Sequence, residues 1–189
     1  CNLNCPKCLV HSESYPRGVA LKKNLGYMNM TDIIKVFEEI KKNQPIGSPS
    51  FWSEPLLNKK LFTSFCTEAK KRSIPISINT NGLLVDEWMA RFLVDNLEVI
   101  SISIDAMTNE TLLKARSTDE LDRIISAVNL LLDIRGKNII PRIVVSFTEE
   151  DCNIHEKESF INYWITKVDA IRVNKAYSDT KKIDTTTQL

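Results

Sequence analysis

Apolar positions along the chain recur in two alternating rhythms. Ile33, Val36, Phe37 and Ile40 repeat at three and four residues, which predicts a helix from Thr31 with that threonine as its N-cap. Leu57, Leu61, Phe65 and Ala69 form a second stripe of this kind, and Trp88, Met89, Phe92 and Leu93 a third. Leu121, Ile124, Ile125, Val128, Leu131 and Leu132 predict a long helix that stops at Gly136, and Phe160, Ile161 and Trp164 predict a last one. Between the stripes lie short strand patterns at residues 50–53, 74–79, 98–104, 139–147 and 170–174, with Pro141 arguing against the early part of the fourth. A helix followed by strands and helices in strict alternation is the signature of repeated βαβ units and a parallel sheet.

The strands have unequal faces, because side chains alternate along a strand. Ile74, Ile76 and Ile78 oppose Ser77 and Asn79; Ile100, Ile102 and Ile104 oppose Ser101, Ser103 and Asp105. Ile143, Val145 and Phe147 oppose Arg142, Val144 and Ser146, while Ile171 and Val173 oppose Arg172 and Asn174. Ser50, Trp52 and Glu54 continue the polar face on the first strand. Parallel sheets covered on both faces are normally apolar throughout. A polar face repeated on five strands predicts a partial barrel, with helices outside and a ligand-binding lumen whose chemistry sits at the C-terminal strand ends. Glu54, Asn79, Asn81 and Asp105 all fall at such ends.

Composition excludes more than it assigns. Of 189 residues, 25 are Lys or Arg and 24 Asp or Glu, so the chain lacks the basic surplus by which proteins hold nucleic acid through phosphate charge. No apolar run is long enough for a membrane span. Five cysteines is an odd and modest total, but Cys1, Cys5 and Cys8 crowd one loop, which argues against a disulfide framework. Their C-x3-C-x2-C spacing suits metal ligation. It leaves open a four-iron cluster held by three thiolates with one iron free, or a zinc site completed by His11. Cys66 reads as a small buried thiol and Cys152, among acidic neighbours, as incidental. No glycine-rich phosphate loop is present, which disfavours an ordinary (β/α) enzyme of phosphate or sugar chemistry.

These residues together resemble the radical S-adenosylmethionine (SAM) superfamily. Cys1-x3-Cys5-x2-Cys8 is similar to its cluster loop, Ser53-Glu54-Pro55 to its Gly-Gly-Glu-Pro strand end, Thr80-Asn81-Gly82 and Ser103-Ile104-Asp105 to the ends of its third and fourth strands. Residues 168–173 resemble the sixth strand of members that continue into a SPASM or twitch extension. The resemblance implies a (β/α)6 TIM-like barrel in which the five strands are strands two to six and the first would precede Cys1. It implies a core domain over residues 1–177, with the cluster loop in 1–29 and β/α units in 30–177, and 178–189 as a polar tail or the start of a linker. Cys1, Cys5 and Cys8 would bind a [4Fe–4S] cluster. Ser53 and Glu54 would hold the SAM amino group; Asn79, Ser103 and Asp105 would face its ribose and methionine parts, and Arg142 would pair with its carboxylate. The implied activity is hydrogen abstraction from a small-molecule, carbohydrate or peptide substrate, with an electron donor as partner and a cytoplasmic setting. Against the family pattern, Lys7 stands where an aromatic is common, and Trp52 and Ser53 replace two glycines. The rival from another class is a non-catalytic binding domain stabilised by zinc or a cluster.

Overall fold

A computed structural model describes residues 1–14, 26, 28–43, 45–49 and 53–176. The elements follow the predicted alternation. Helix α1 spans Met30–Ile40 and α2 Lys59–Lys70; β1 is Ser77–Thr80, α3 Glu87–Asn96 and β2 Val99–Ser103. Then come α4 at Asn109–Arg116, α5 at Leu121–Arg135, β3 at Arg142–Glu149, α6 at Lys157–Trp164 and β4 at Ala170–Lys175. All four strands are parallel, in the order β1-β2-β3-β4, and consecutive strands are joined by helices as the βαβ rule requires. This is an α/β fold with one parallel sheet, a partial TIM-like barrel.

Local chemistry explains the boundaries. The first four helices start where a side chain accepts from the first turn: Asn29 from the N–H of Asp32, Asn58 from Leu61, Asp86 from Met89 and Thr108 from Thr111. The cap of α1 is therefore Asn29 rather than Thr31. The strand expected from Ile74 pairs with β2 only from Ser77, although Ile76 already bridges to Gly47. A Cβ on Gly47 would meet the Ile76 Cδ1 at 2.7 Å, so a larger residue there would require the Ile76 side chain to shift. The strand predicted from residue 139 starts instead at Arg142, after Pro141, which has no N–H to give the ladder; Ile139 and Ile140 stay exposed. Of the strand expected at residues 50–53, residues 50–52 lie outside the described set. So do residues 177–189.

The two strand faces differ as the alternation predicts. Ile100, Ile102, Ile143, Val145 and Phe147 are fully buried beneath the helices. They meet Met89 and Leu93 of α3, Ile124, Val128 and Leu131 of α5, and Phe160 of α6, whose ring lies 5.0 Å from Phe147. Each such side chain contributes roughly 1.5–3 kcal/mol when removed from water. The opposite face carries Asn79, Ser101, Ser103 and Ser146, and the Ser146 and Ser103 hydroxyls lie 3.2 Å apart. Helix α4 is an addition to the predicted scheme. Of its residues only Thr111, Leu112 and Ala115 are buried, so it shows no broad apolar stripe to betray it. Its visible signals are weaker ones: the Thr108 cap, the Glu110–Lys114 ion pair one turn apart, and the basic last turn at Lys114 and Arg116.

Candidate active site at the C-terminal strand ends

The strand ends open on a cavity of about 420 Å³, within the range of small-molecule sites. Its wall brings together Cys1, Cys5 and Cys8 with Ser53, Glu54, Asn79, Ser103 and Asp105. The cysteine loop is anchored by buried Leu3 and Val10. It is tied to the rim at two points: Asn81 donates its Nδ2 to Asn2 Oδ1 at 2.9 Å, and the Ser117 hydroxyl donates to the Asn4 carbonyl at 3.1 Å. Within the loop, the Cys8 N–H donates to the Cys5 carbonyl, and the His11 N–H reaches the Cys8 sulfur at 3.3 Å.

Arg142 is the exception. It opens β3 at the N-terminal end, in register with Val99, and is exposed. The cavity lies at the other end, beside Ser103 and Ser146, four residues further along and about 13 Å away at strand rise. The alternation placed Arg142 on the lumen face, and the structure places it at the end of β3 away from the cavity. Two cations do line the cavity, Lys7 of the cysteine loop and Arg116, the last residue of α4; Arg116 is paired with Asp105. Its Nε and Nη2 donate to Asp105 Oδ2 at 2.7 and 2.5 Å. Asp105 keeps the guanidinium protonated against the cost of burial. Asp105 itself sits in the left-handed region at φ 63°, and its Oδ1 accepts the Thr148 N–H at 2.6 Å. Its carboxylate is thus engaged by the protein.

Glu54 is also largely engaged. Oε1 accepts from the Thr80 hydroxyl at 2.7 Å and the Leu56 N–H at 3.2 Å; Oε2 accepts from the Asn81 N–H at 2.9 Å. Burial pushes its carboxyl up, with these donors opposing. A carboxylate offers about four acceptor positions, so one remains on Oε2. The chain turns sharply after β1 at Gly82, φ 80°, where a Cβ would press within 3.2 Å of Ile102. Glu150, just past β3, lines the cavity too; burial raises its carboxyl, and Lys7 across the cavity opposes.

The donor chemistry suits metal ligation. Burial pushes the Cys5 thiol up, the Arg116 guanidinium opposes, and Cys8 and Asp105 add to the rise. A bound metal must therefore supply the charge that ionises it. His11 lines the same cavity. Among the described residues no three His, Cys, Asp or Glu side chains already gather around one point. Three cysteines lining one cavity are a donor set that a cluster could use, each thiolate on its own iron. A second cavity, of about 460 Å³, lies between α1 and α2 and is lined mainly by apolar side chains such as Phe37, Phe62 and Phe65. It is larger but holds no ligating cysteine.

Residues 1–161 match the family model described as Radical SAM superfamily. Among curated proteins, the chain is 26% identical over 176 residues to a GTP 3′,8-cyclase of Petrotoga mobilis, covering 88% of this chain and 50% of that protein. It is 32% identical over 114 residues to a cysteine-type anaerobic sulfatase-maturating enzyme of Clostridium perfringens, covering 56% of this chain and 30% of that one. Among solved structures, native anSMEcpe with bound AdoMet superposes with a TM-score of 0.71 at 19% identity, over 93% of this chain and 48% of that one. Streptococcus suis SuiB bound to S-adenosylmethionine gives 0.69 at 15% identity, over 96% and 39%. The chain thus spans half or less of the length of these proteins.

Proposed function

The chain belongs to the radical SAM superfamily, whose members use a [4Fe–4S] cluster and S-adenosylmethionine, and from that premise we propose that the cavity at the strand ends is its cofactor site. What supports this reading most is the convergence of the three loop cysteines, Glu54 and Arg116 on one wall, although they are drawn from distant parts of the chain. When bound, the cofactors supply one-electron cleavage of the sulfonium and a hydrogen-abstracting 5′-deoxyadenosyl radical. The remaining work falls to the protein. Cys1, Cys5 and Cys8 would hold the cluster. Glu54, with one acceptor position left, would take the SAM amino group beside Ser53. Arg116 replaces Arg142 as the partner of its carboxylate: Nε and Nη2 are committed to Asp105, and Nη1 has no bond to the described residues. Asn79 and Ser103 would border the ribose. The helix-covered sheet keeps solvent from one side of the reaction.

The substrate reading is a peptide or small molecule acted on by hydrogen abstraction. Solved neighbours carrying a Kp18Cys peptide and the precursor peptide SuiA support the peptide class. The proposal includes an electron donor, a core domain over residues 1–177 and a SPASM- or twitch-type extension. No helix among the described residues is long and apolar enough to cross a membrane; a cytoplasmic setting, which keeps thiols reduced, belongs to the same proposal.

Anaerobic reconstitution tests it. Protein loaded with iron and sulfide, given SAM and a reductant, is expected to form 5′-deoxyadenosine. The Cys5→Ala variant is expected to lose cluster loading while keeping its helix content by circular dichroism. Purification with zinc and no iron, or a loaded cluster that leaves SAM intact, would overturn the reading.

A further inference from the structure

One buried side chain near the cavity has no part in the proposal so far. Asn153, in the loop after β3, is fully buried and uses all of its polar atoms. Its Nδ2 donates to the Asp105 carbonyl at 3.0 Å and to the Thr148 carbonyl at 2.8 Å, and its Oδ1 accepts the Glu150 N–H at 2.7 Å. These partners form a pattern. The parallel ladder between β2 and β3 runs to Ser103 and Ser146, and its last rung is the Ile104 N–H on the Ser146 carbonyl at 3.1 Å. Beyond it the left-handed turn at Asp105 takes the chain out of register. From there side chains replace the ladder: Asp105 Oδ1 takes the Thr148 N–H, and Asn153 takes the two carbonyls that the separating strands leave behind.

The same bonds decide where Arg116 points. Among the described residues its guanidinium is hydrogen-bonded by the Asp105 side chain alone. The angle of the Asp105 carboxylate is set by its backbone turn, and Asn153 fixes that turn from beneath. We propose that Asn153 is a positioning residue of the cofactor cavity, which fixes the Asp105 turn and thereby aims Arg116 at the carboxylate of the bound ligand. This rests on the reading of the cavity as a SAM site. Asn153 closes its own loop through the Glu150 N–H and the Thr148 carbonyl, and it also reaches across to the Asp105 carbonyl, 48 residues away, on the turn that carries the carboxylate bound to Arg116. Substituting it should therefore act on ligand binding through Arg116 and not on cluster assembly, because the three cysteines sit on another segment.

The test is a double-mutant cycle on the cluster-loaded protein, with SAM affinity measured by calorimetry and the reduced cluster followed by electron paramagnetic resonance with and without SAM. Asn153→Ala is expected to keep wild-type iron, sulfide and helix content, to bind SAM about tenfold more weakly, and to show a smaller spectral change on SAM addition. In the Arg116→Gln background the same substitution should cost less than about twofold, since the group it positions is gone. Asn153→Ser, which keeps one donor, should fall between. Unchanged affinity, or an equal loss in both backgrounds, would overturn the inference while leaving the cofactor reading standing. So would failure of both Asn153 variants to load iron, which would make the residue a scaffold element only. A loaded wild type that binds no SAM would instead overturn the cofactor reading, and this inference with it.

Discussion

The Asp105–Arg116 pair offers the sharpest test of how the cavity is held together. Both side chains are largely out of water, 7% and 15% exposed, and two guanidinium N–H groups converge on one carboxylate oxygen. Asp105→Asn is the informative perturbation, because asparagine tolerates the left-handed φ of 63° and introduces no backbone strain of its own. Its amide oxygen can still accept the Thr148 N–H, which turns the amide nitrogen toward Arg116, donor against donor. Breaking a buried pair from one side costs about 3–5 kcal/mol, because the remaining charge is left buried without compensation. The partial exposure of Arg116 places the expectation at the low end, about 3 kcal/mol. For a chain of this size that corresponds to a fall in Tm of roughly 6–12 °C. The assay is anaerobic thermal and urea unfolding of wild type, Asp105→Asn, Arg116→Met and the double variant. Removing both charges should recover at least half of the loss, since no orphaned charge remains. A single-variant cost below about 1 kcal/mol, or a double variant that loses the sum of the two, would refute the reasoning.

Two further outcomes follow from buried groups away from the cavity wall. Burial works against the Glu156 carboxylate, but the Thr108 hydroxyl, the Met107 N–H and the Thr111 hydroxyl together outweigh it and hold the carboxyl below its usual range. Its stabilising contribution is therefore present above the unfolded-state value of about 4.3 and is lost as pH falls through the lower folded-state value. Glu156→Gln should cost about 1.5–3 kcal/mol in urea unfolding at pH 7, and the gap from wild type should close as the pH falls below about 4; a gap independent of pH would contradict the assignment. Cys66 on α2 is fully buried, and burial pushes its thiol up to about 12. Iodoacetamide at pH 8 is expected to leave it unmodified in the folded protein and to label it in urea, read by mass spectrometry of the peptide; labelling at the rate of a free thiol in the native state would contradict the packing of α2.

Much of this protein is legible along the chain because its information is local. The helix stripes at three and four residues, the period-two strands and their alternation specify a parallel α/β sheet, and the uneven strand faces mark the lumen side. The cysteine spacing and Glu54-Pro55 point to the cofactor class through resemblance. What was hidden depends on contacts between distant segments. Alternation has a period of two and carries no information about axial position, so it set Arg142 on the lumen face without revealing that it lies at the far end of β3. Helix α4 has no broad apolar stripe, since its N-terminus is held by the carboxylate of Glu156, 45 to 49 residues away, and not by packing alone. Arg116 could not be identified without that helix. The order of elements, the polar lumen and the thiol loop are written in local sequence pattern. Only folding brings Arg116 to the cavity beside Asp105, because buried polar groups must find partners wherever the fold brings them, and here those partners lie in the loops after β2 and β3.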